Sequence, residues 1–187
     1  MDITFFGVRG STPVSGNDYA EFGGSTTSLE ISTPHCQIIF DTGSGFRNIK
    51  LREDVPVFII YSHFHHDHIQ GLAFNSNLFA SRQNIYVCSA LTDKASLKTI
   101  LRTYFSGSYF PLDVIAALSH LEFIDFEALG ALLPDRHVIE SILLNHPGGA
   151  SGYRLEADGS KLCFFQDHEY EPTDQAVFRE FALHADL

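Results

Sequence analysis

No apolar run in the sequence approaches the ~18 residues that a bilayer-crossing helix needs, which argues against a membrane partner. The first residues (Met-Asp-Ile-Thr-Phe-Phe) place no basic stretch before an apolar one, so no secretory signal is read there. Cysteine is scarce: Cys36, Cys88 and Cys163 are odd in number, widely spaced and form no C-x-x-C pair. That argues against a disulfide framework or thiolate zinc site and for buried free thiols; with the missing signal it predicts a cytoplasmic, reducing location. Tryptophan is absent, and 17 Phe with 7 Tyr predict an aromatic core. Basic residues are few, 12 Lys and Arg against 23 Asp and Glu, for a net charge of −11. Such a surface repels polyanions and argues against an extended nucleic-acid partner. A small phosphorylated substrate stays compatible, because bound divalent cations would reverse the sign locally. No internal repeat, low-complexity block or linker breaks the 187 residues, which read as a single domain with 44% hydrophobic content.

The coarse pattern is strand-rich, with helices occurring singly between strands. Asp2–Phe6 reads as a strand, residues 7–24 as a polar loop with five glycines and one proline, and 26–32 with 37–40 as paired strands joined through Pro34. Val57–Tyr61 is a continuous apolar run, as expected of a strand buried on both faces. Further strands are expected at 84–88, 121–126 and 138–144. Residues 153–157 and 161–165, separated by Asp158-Gly159, give the clearest hairpin signal. Helices are expected from a Thr92 cap to about Phe105, and from a Thr173 cap to about His184. This pattern predicts sheets faced by helices in a layered α/β or α+β arrangement.

Four of the ten histidines fall in one window, His63-Phe64-His65-His66-Asp67-His68, directly after the buried strand. In an extended segment His63 and His65 point the same way and converge on one point. Asp67 and His68 follow, where residues 69–72 are expected to start a helix, and turn to a second point nearby. Imidazole and carboxylate without thiolate suit Zn²⁺, Mn²⁺ or Fe²⁺ in a hydrolytic site. His66 is expected to point away. Asp41, at the end of a strand before Gly43-Ser44-Gly45, reads either as a turn-forming residue or as a carboxylate orienting a ligand histidine. The Gly-Ser-Gly amides are weak candidates for cradling a phosphate.

His63-x-His65-x-Asp67-His68 resembles the H-x-H-x-D-H signature of the metallo-β-lactamase superfamily. Residues 6–13 (Phe-Gly-Val-Arg-Gly-Ser-Thr-Pro), 23–28, 41–45, 145–149 and 167–169 resemble its ribonuclease Z and cyclic-nucleotide-phosphodiesterase-like branch. The resemblance runs the length of the chain, in order. It implies an αβ/βα sandwich with two divalent cations, zinc first and manganese or iron as alternatives, at one edge of the sheets. It further implies that His63, His65 and His146 hold one cation, that Asp67 and His68 hold the other, and that Asp167 bridges both. His146 and Asp167 each lie just past a predicted strand end, as the first motif does.

One element of the family pattern is missing: a further histidine after one more strand, expected where the sequence stops at Ala185-Asp186-Leu187. Three readings follow: a chain incomplete at its C-terminus and lacking that strand, replacement of the ligand by His168 or water, or a weakened second site. An unfilled sheet edge would invite pairing with a second copy. The resemblance implies hydrolysis of a small or cyclic phosphodiester by a metal-bridging hydroxide, with Asp67, Asp167 and His168 as candidate catalytic residues and His168 as a candidate general acid. Hydrolysis of a thioester, lactone or lactam is the alternative on the same fold. A non-catalytic metal-binding domain is a third reading.

Overall fold

A computed structural model describes residues 1–187. Strand β1 (Asp2–Gly7) pairs antiparallel with β2 (Ser28–Ser32), and β2 antiparallel with β3 (Gln37–Phe40). Three parallel neighbours extend the sheet: β4 (Val57–Tyr61), β5 (Ile85–Ser89) and β6 (Leu121–Phe123). Between β4 and β6 lie the short helices α1 (His66–Ile69) and α2 (Ser76–Ala80), then α3 (Lys94–Tyr104) and α4 (Val114–Ala117). After α5 (Phe126–Leu129), β7 (Val138–Leu144), β8 (Ala150–Ala157) and β9 (Ser160–Phe164) form a second, antiparallel sheet, and α6 (Gln175–Phe181) follows. No helix is long and apolar enough to cross a membrane.

The apolar run of β4 explains the layering. Its alternate side chains enter two different cores: Val57, Ile59 and Tyr61 join Leu97, Leu101, Val114 and Ile115 of α3 and α4. Phe58 and Ile60 instead join Tyr153, Leu155, Leu162 and Phe164 of the second sheet. Phe40 stacks on Tyr153 and Phe164 in that inner core, at ring separations of 5.4 and 4.7 Å. On the outer face of the second sheet, Phe178 and Phe181 of α6 cover Phe165, and the Arg154 guanidinium lies 5.3 Å over the Phe181 ring. The order is therefore helices, six-stranded sheet, three-stranded sheet, helix: the expected αβ/βα sandwich.

Several local expectations are corrected. The cap of α3 is Asp93, not Thr92: Asp93 Oδ1 accepts the N–H groups of Ala95 and Ser96. The expected strand 121–126 ends at Phe123, because pairing with β5 stops at Val87, and Phe126 starts α5. The last helix is led in by a capping box between Glu171 and Asp174 rather than by Thr173, and it ends at Phe181, short of His184. The helix of the histidine window begins at His66, three residues before its expected start. All three cysteines are free; Cys36 and Cys88 are buried, as expected, whereas Cys163 on β9 is only half-buried.

Four strands deliver their C-terminal ends to one edge of the sandwich: β3 into Asp41, β4 into Ser62 and His63, β7 into Asn145 and His146, and β9 into the segment bearing Asp167. The N–H of Ser151 donates to Ser62 O at 2.9 Å and stitches the two sheets together there. Behind this edge, the chain just after α1 leans on the 41–45 turn so closely that a Cβ on Gly71 would lie 2.0 Å from Gly43 O. Backbone cannot yield as a flexible side chain can. Gly71→Ala is therefore expected to destabilise the protein by about 1–3 kcal/mol, measured by urea unfolding.

Candidate metal centre

Asp41 is fully buried just past β3, in the left-handed conformation (φ 57°). Three donors converge on its carboxylate. Oδ1 accepts the Ser62 N–H at 2.7 Å, while Oδ2 accepts the Ser62 hydroxyl at 2.7 Å and His68 Nδ1–H at 2.8 Å. Of the two readings of Asp41, the structure shows the one in which it orients a histidine.

These bonds dictate the tautomers. The single Ser62 hydroxyl proton goes to Asp41, so the contact of 3.1 Å between Ser62 Oγ and His63 Nδ1 has His63 donating. His63 Nε2 is left as a bare lone pair. Burial, with the charge of His68 beside it, pushes His63 down to about 4, so its ring is neutral at pH 7. For His68 burial also opposes charge, but Asp41, Asp67 and Asp167 outweigh it and raise the group to about 9.

Both Nε2 atoms face one oxygen. Asp167 Oδ2 lies 3.4 Å from His63 Nε2, 2.9 Å from His68 Nε2 and 3.9 Å from His146 Nε2. His146 Nε2 in turn stands 3.0 Å from His65 Nδ1. Ligand atoms of His63, His65, His146 and Asp167 all lie within 4.8 Å of one another, and those of Asp67, His68 and Asp167 form a second such group. His63 Nε2 and His68 Nε2 are buried without an aligned hydrogen-bond partner, an expensive arrangement for polar atoms that nothing binds. Two divalent cations, one at each group, would satisfy them, and the second would take the place of the His68 proton. The donor set is imidazole and carboxylate only, as Zn²⁺, Mn²⁺ and Fe²⁺ accept. The residues present therefore fit the expected ions.

Backbone strain gathers here as well. Of six non-glycine residues at positive φ, three belong to this site: Ser11 (62°), Asp41 (57°) and Asp167 (52°). Such conformations persist only where the surroundings over-determine them.

Not every expected residue joins the group. His66 points away, as expected, with Nδ1 against the Tyr104 hydroxyl of α3. His168 is not among the converging ligand atoms, contrary to its expected place as a substitute ligand. Its Nδ1 accepts the Asn145 N–H at 3.1 Å, its Nε2 faces Asp174 at 3.5 Å, and its ring packs 4.3 Å from Phe178. These contacts hold the ring against α6, where it lines a cavity together with His146. The Gly43-Ser44-Gly45 amides are likewise spent inside the fold, on Thr27 O, Thr26 Oγ1 and Thr26 O, and do not cradle a phosphate. Two contributors escaped the sequence reading: Ser62, whose neighbour His63 was its only signal, and the Ser11 N–H, which donates to Asp67 Oδ2 at 2.6 Å.

No protein-family model matches the sequence, and no curated protein matches it. Solved structures do. The metallo-beta-lactamase fold protein YhfI from Bacillus subtilis superposes with a TM-score of 0.65 at 17% identity, over 98% of this chain and 68% of that one. Human tRNase Z, short form, gives 0.64 at 17% identity, over 100% and 75%. Unliganded yeast PDE1 gives 0.58 at 13% identity, over 98% and 72%. On these superpositions, which span nearly the whole chain, the chain has the metallo-β-lactamase fold.

Proposed function

We propose that the chain is a hydrolase dependent on two divalent cations and acts on a small or cyclic phosphodiester. The observation that carries this reading is the pair of ligand groups sharing a single carboxylate, Asp167, which the buried Nε2 atoms of His63 and His68 both face. In this reading His63, His65 and His146 hold one cation, Asp67 and His68 the other, and Asp167 both. When bound, such ions supply a nucleophile at neutral pH and neutralise charge on the reacting group.

The rest is the work of the chain. Asp41 and Ser62 set the tautomers of His63 and His68, so that each presents Nε2 to the shared point. The strand ends that carry these groups give the rigidity that catalysis needs. Phosphodiesters are favoured by the likeness of the 6–13, 23–28 and 41–45 segments to the branch named above, and by fold neighbours that include tRNase Z and PDE1. A net charge of −11 disfavours a polynucleotide over a small substrate. Zinc is the first candidate, with manganese and iron accepted by the same donors.

The test is an assay of zinc- or manganese-loaded protein on bis(p-nitrophenyl) phosphate and on cyclic nucleotides, with His63→Ala in parallel. Turnover by the unaltered protein and none by the variant is expected. Turnover confined to thioesters, lactones or lactams would move the electrophile from phosphorus to carbon. Equal background in both proteins on every substrate would remove the hydrolase reading.

A further inference from the structure

We propose that Ser11 is a positioning residue for the second cation, acting on Asp67 through its backbone N–H; this rests on the two-cation reading above. The bond spans 56 residues of sequence and reaches a buried carboxylate oxygen at 2.6 Å, with His68 Nε2 3.6 Å from the same oxygen. It is charge-assisted, and it is the single hydrogen bond that the fold gives to the Asp67 carboxylate. By contrast Asp41, which orients the other residue of that pair, is held by three donors.

The N–H reaches Asp67 because the loop is pinned around it. Val8 and Arg9 both donate their N–H to Ser25 O at 3.0 Å, and Val14 donates to Gly24 O at 2.9 Å. Arg9 Nε bonds to Gly23 O at 2.9 Å, and its guanidinium lies 5.1 Å over the Tyr19 ring. Between these staples Ser11 adopts φ 62°, a conformation that costs any residue bearing a Cβ and costs β-branched ones most. The Ser11 hydroxyl makes no hydrogen bond, and the residue is exposed. What matters at this position is therefore the backbone conformation and its N–H, not the side chain. An exposed polar loop thus sets the geometry of a buried ligand.

Cobalt(II) titration followed by visible absorption tests this, because it reads the two ions by their ligand-field bands without any turnover. Ser11→Gly and Ser11→Ala retain the N–H and are expected to bind the second ion within about threefold of the unaltered protein. Ser11→Val, strained at this φ, and Ser11→Pro, which lacks the N–H, are expected to weaken the second ion by roughly 10- to 100-fold. The first ion, on His63, His65 and His146, is expected to bind alike in all. Circular dichroism and thermal melts of the metal-free variants accompany the titration; should Ser11→Pro fail to fold, the Gly and Val pair decides. Unchanged second-ion binding in Ser11→Val and Ser11→Pro overturns the inference, as does an equal loss in Ser11→Ala, which would assign the effect to the hydroxyl. If the unaltered protein takes up a single ion, the two-cation reading falls and carries this inference with it. If it takes up two and the variants match it, only this inference falls.

Discussion

Asp167→Asn is expected to lower the affinity of both cations by more than roughly 10²-fold while leaving the protein folded, since partners that only orient a ligand already contribute 10- to 100-fold. One oxygen of Asp167 stands within 3.9 Å of His63, His68 and His146 Nε2, so its loss strips both ligand groups together. Asparagine is the informative replacement. It matches the shape and tolerates the left-handed backbone at φ 52°, so that the loss is one of charge rather than of conformation. The metal-free variant should stay folded but melt slightly lower than the unaltered metal-free protein, because it loses the negative charge that Asp167 places 2.9 Å from the protonated His68 ring. Metal content after dialysis and the melting curve are the two measurements. Retention of both ions by the variant would show that Asp167 is not shared.

Asp41→Ala is expected to have the largest effect on stability, a loss of about 3–5 kcal/mol by urea unfolding. Removing the carboxylate orphans the Ser62 N–H, the Ser62 hydroxyl and His68 Nδ1 in a place from which water is excluded. It also frees the His63 tautomer, because the Ser62 proton that had gone to Asp41 can turn to His63 Nδ1. Asp41→Asn separates backbone strain from hydrogen bonding. It accepts φ 57° as readily as aspartate but offers one acceptor oxygen where three donors converge, so it should fall between the parent and the alanine variant. An alanine variant as stable as the parent would remove Asp41 from the account of the site.

Much of this arrangement was legible in the residues. The unbroken apolar run Val57–Tyr61 marks a strand buried on both faces, and it feeds two cores. Asp158-Gly159 marks a hairpin because both residues tolerate positive φ, and both adopt it, at 52° and 80°. The histidine window marks the centre because packing gives no reason to crowd imidazoles beside an acid. What escaped reading depends on contacts between distant segments. The neighbours of His168 are Asn145, Asp174 and Phe178, and only their meeting in the fold shows that its ring stays outside the ligand groups. The amides of Gly43-Ser44-Gly45 look free in sequence and are consumed by Thr26 and Thr27. Ser11 reaches Asp67 through backbone, which carries no side-chain signature. Helix starts were displaced where a stronger acceptor stood one residue on, as Asp93 does beside Thr92.

The most direct test is a crystal of the zinc-loaded protein with diffraction measured above and below the zinc absorption edge. Two anomalous peaks are predicted, one among His63, His65 and His146 and one at Asp67 and His68, with Asp167 touching both. No peak at these residues, or zinc held only elsewhere on the surface, would contradict the account.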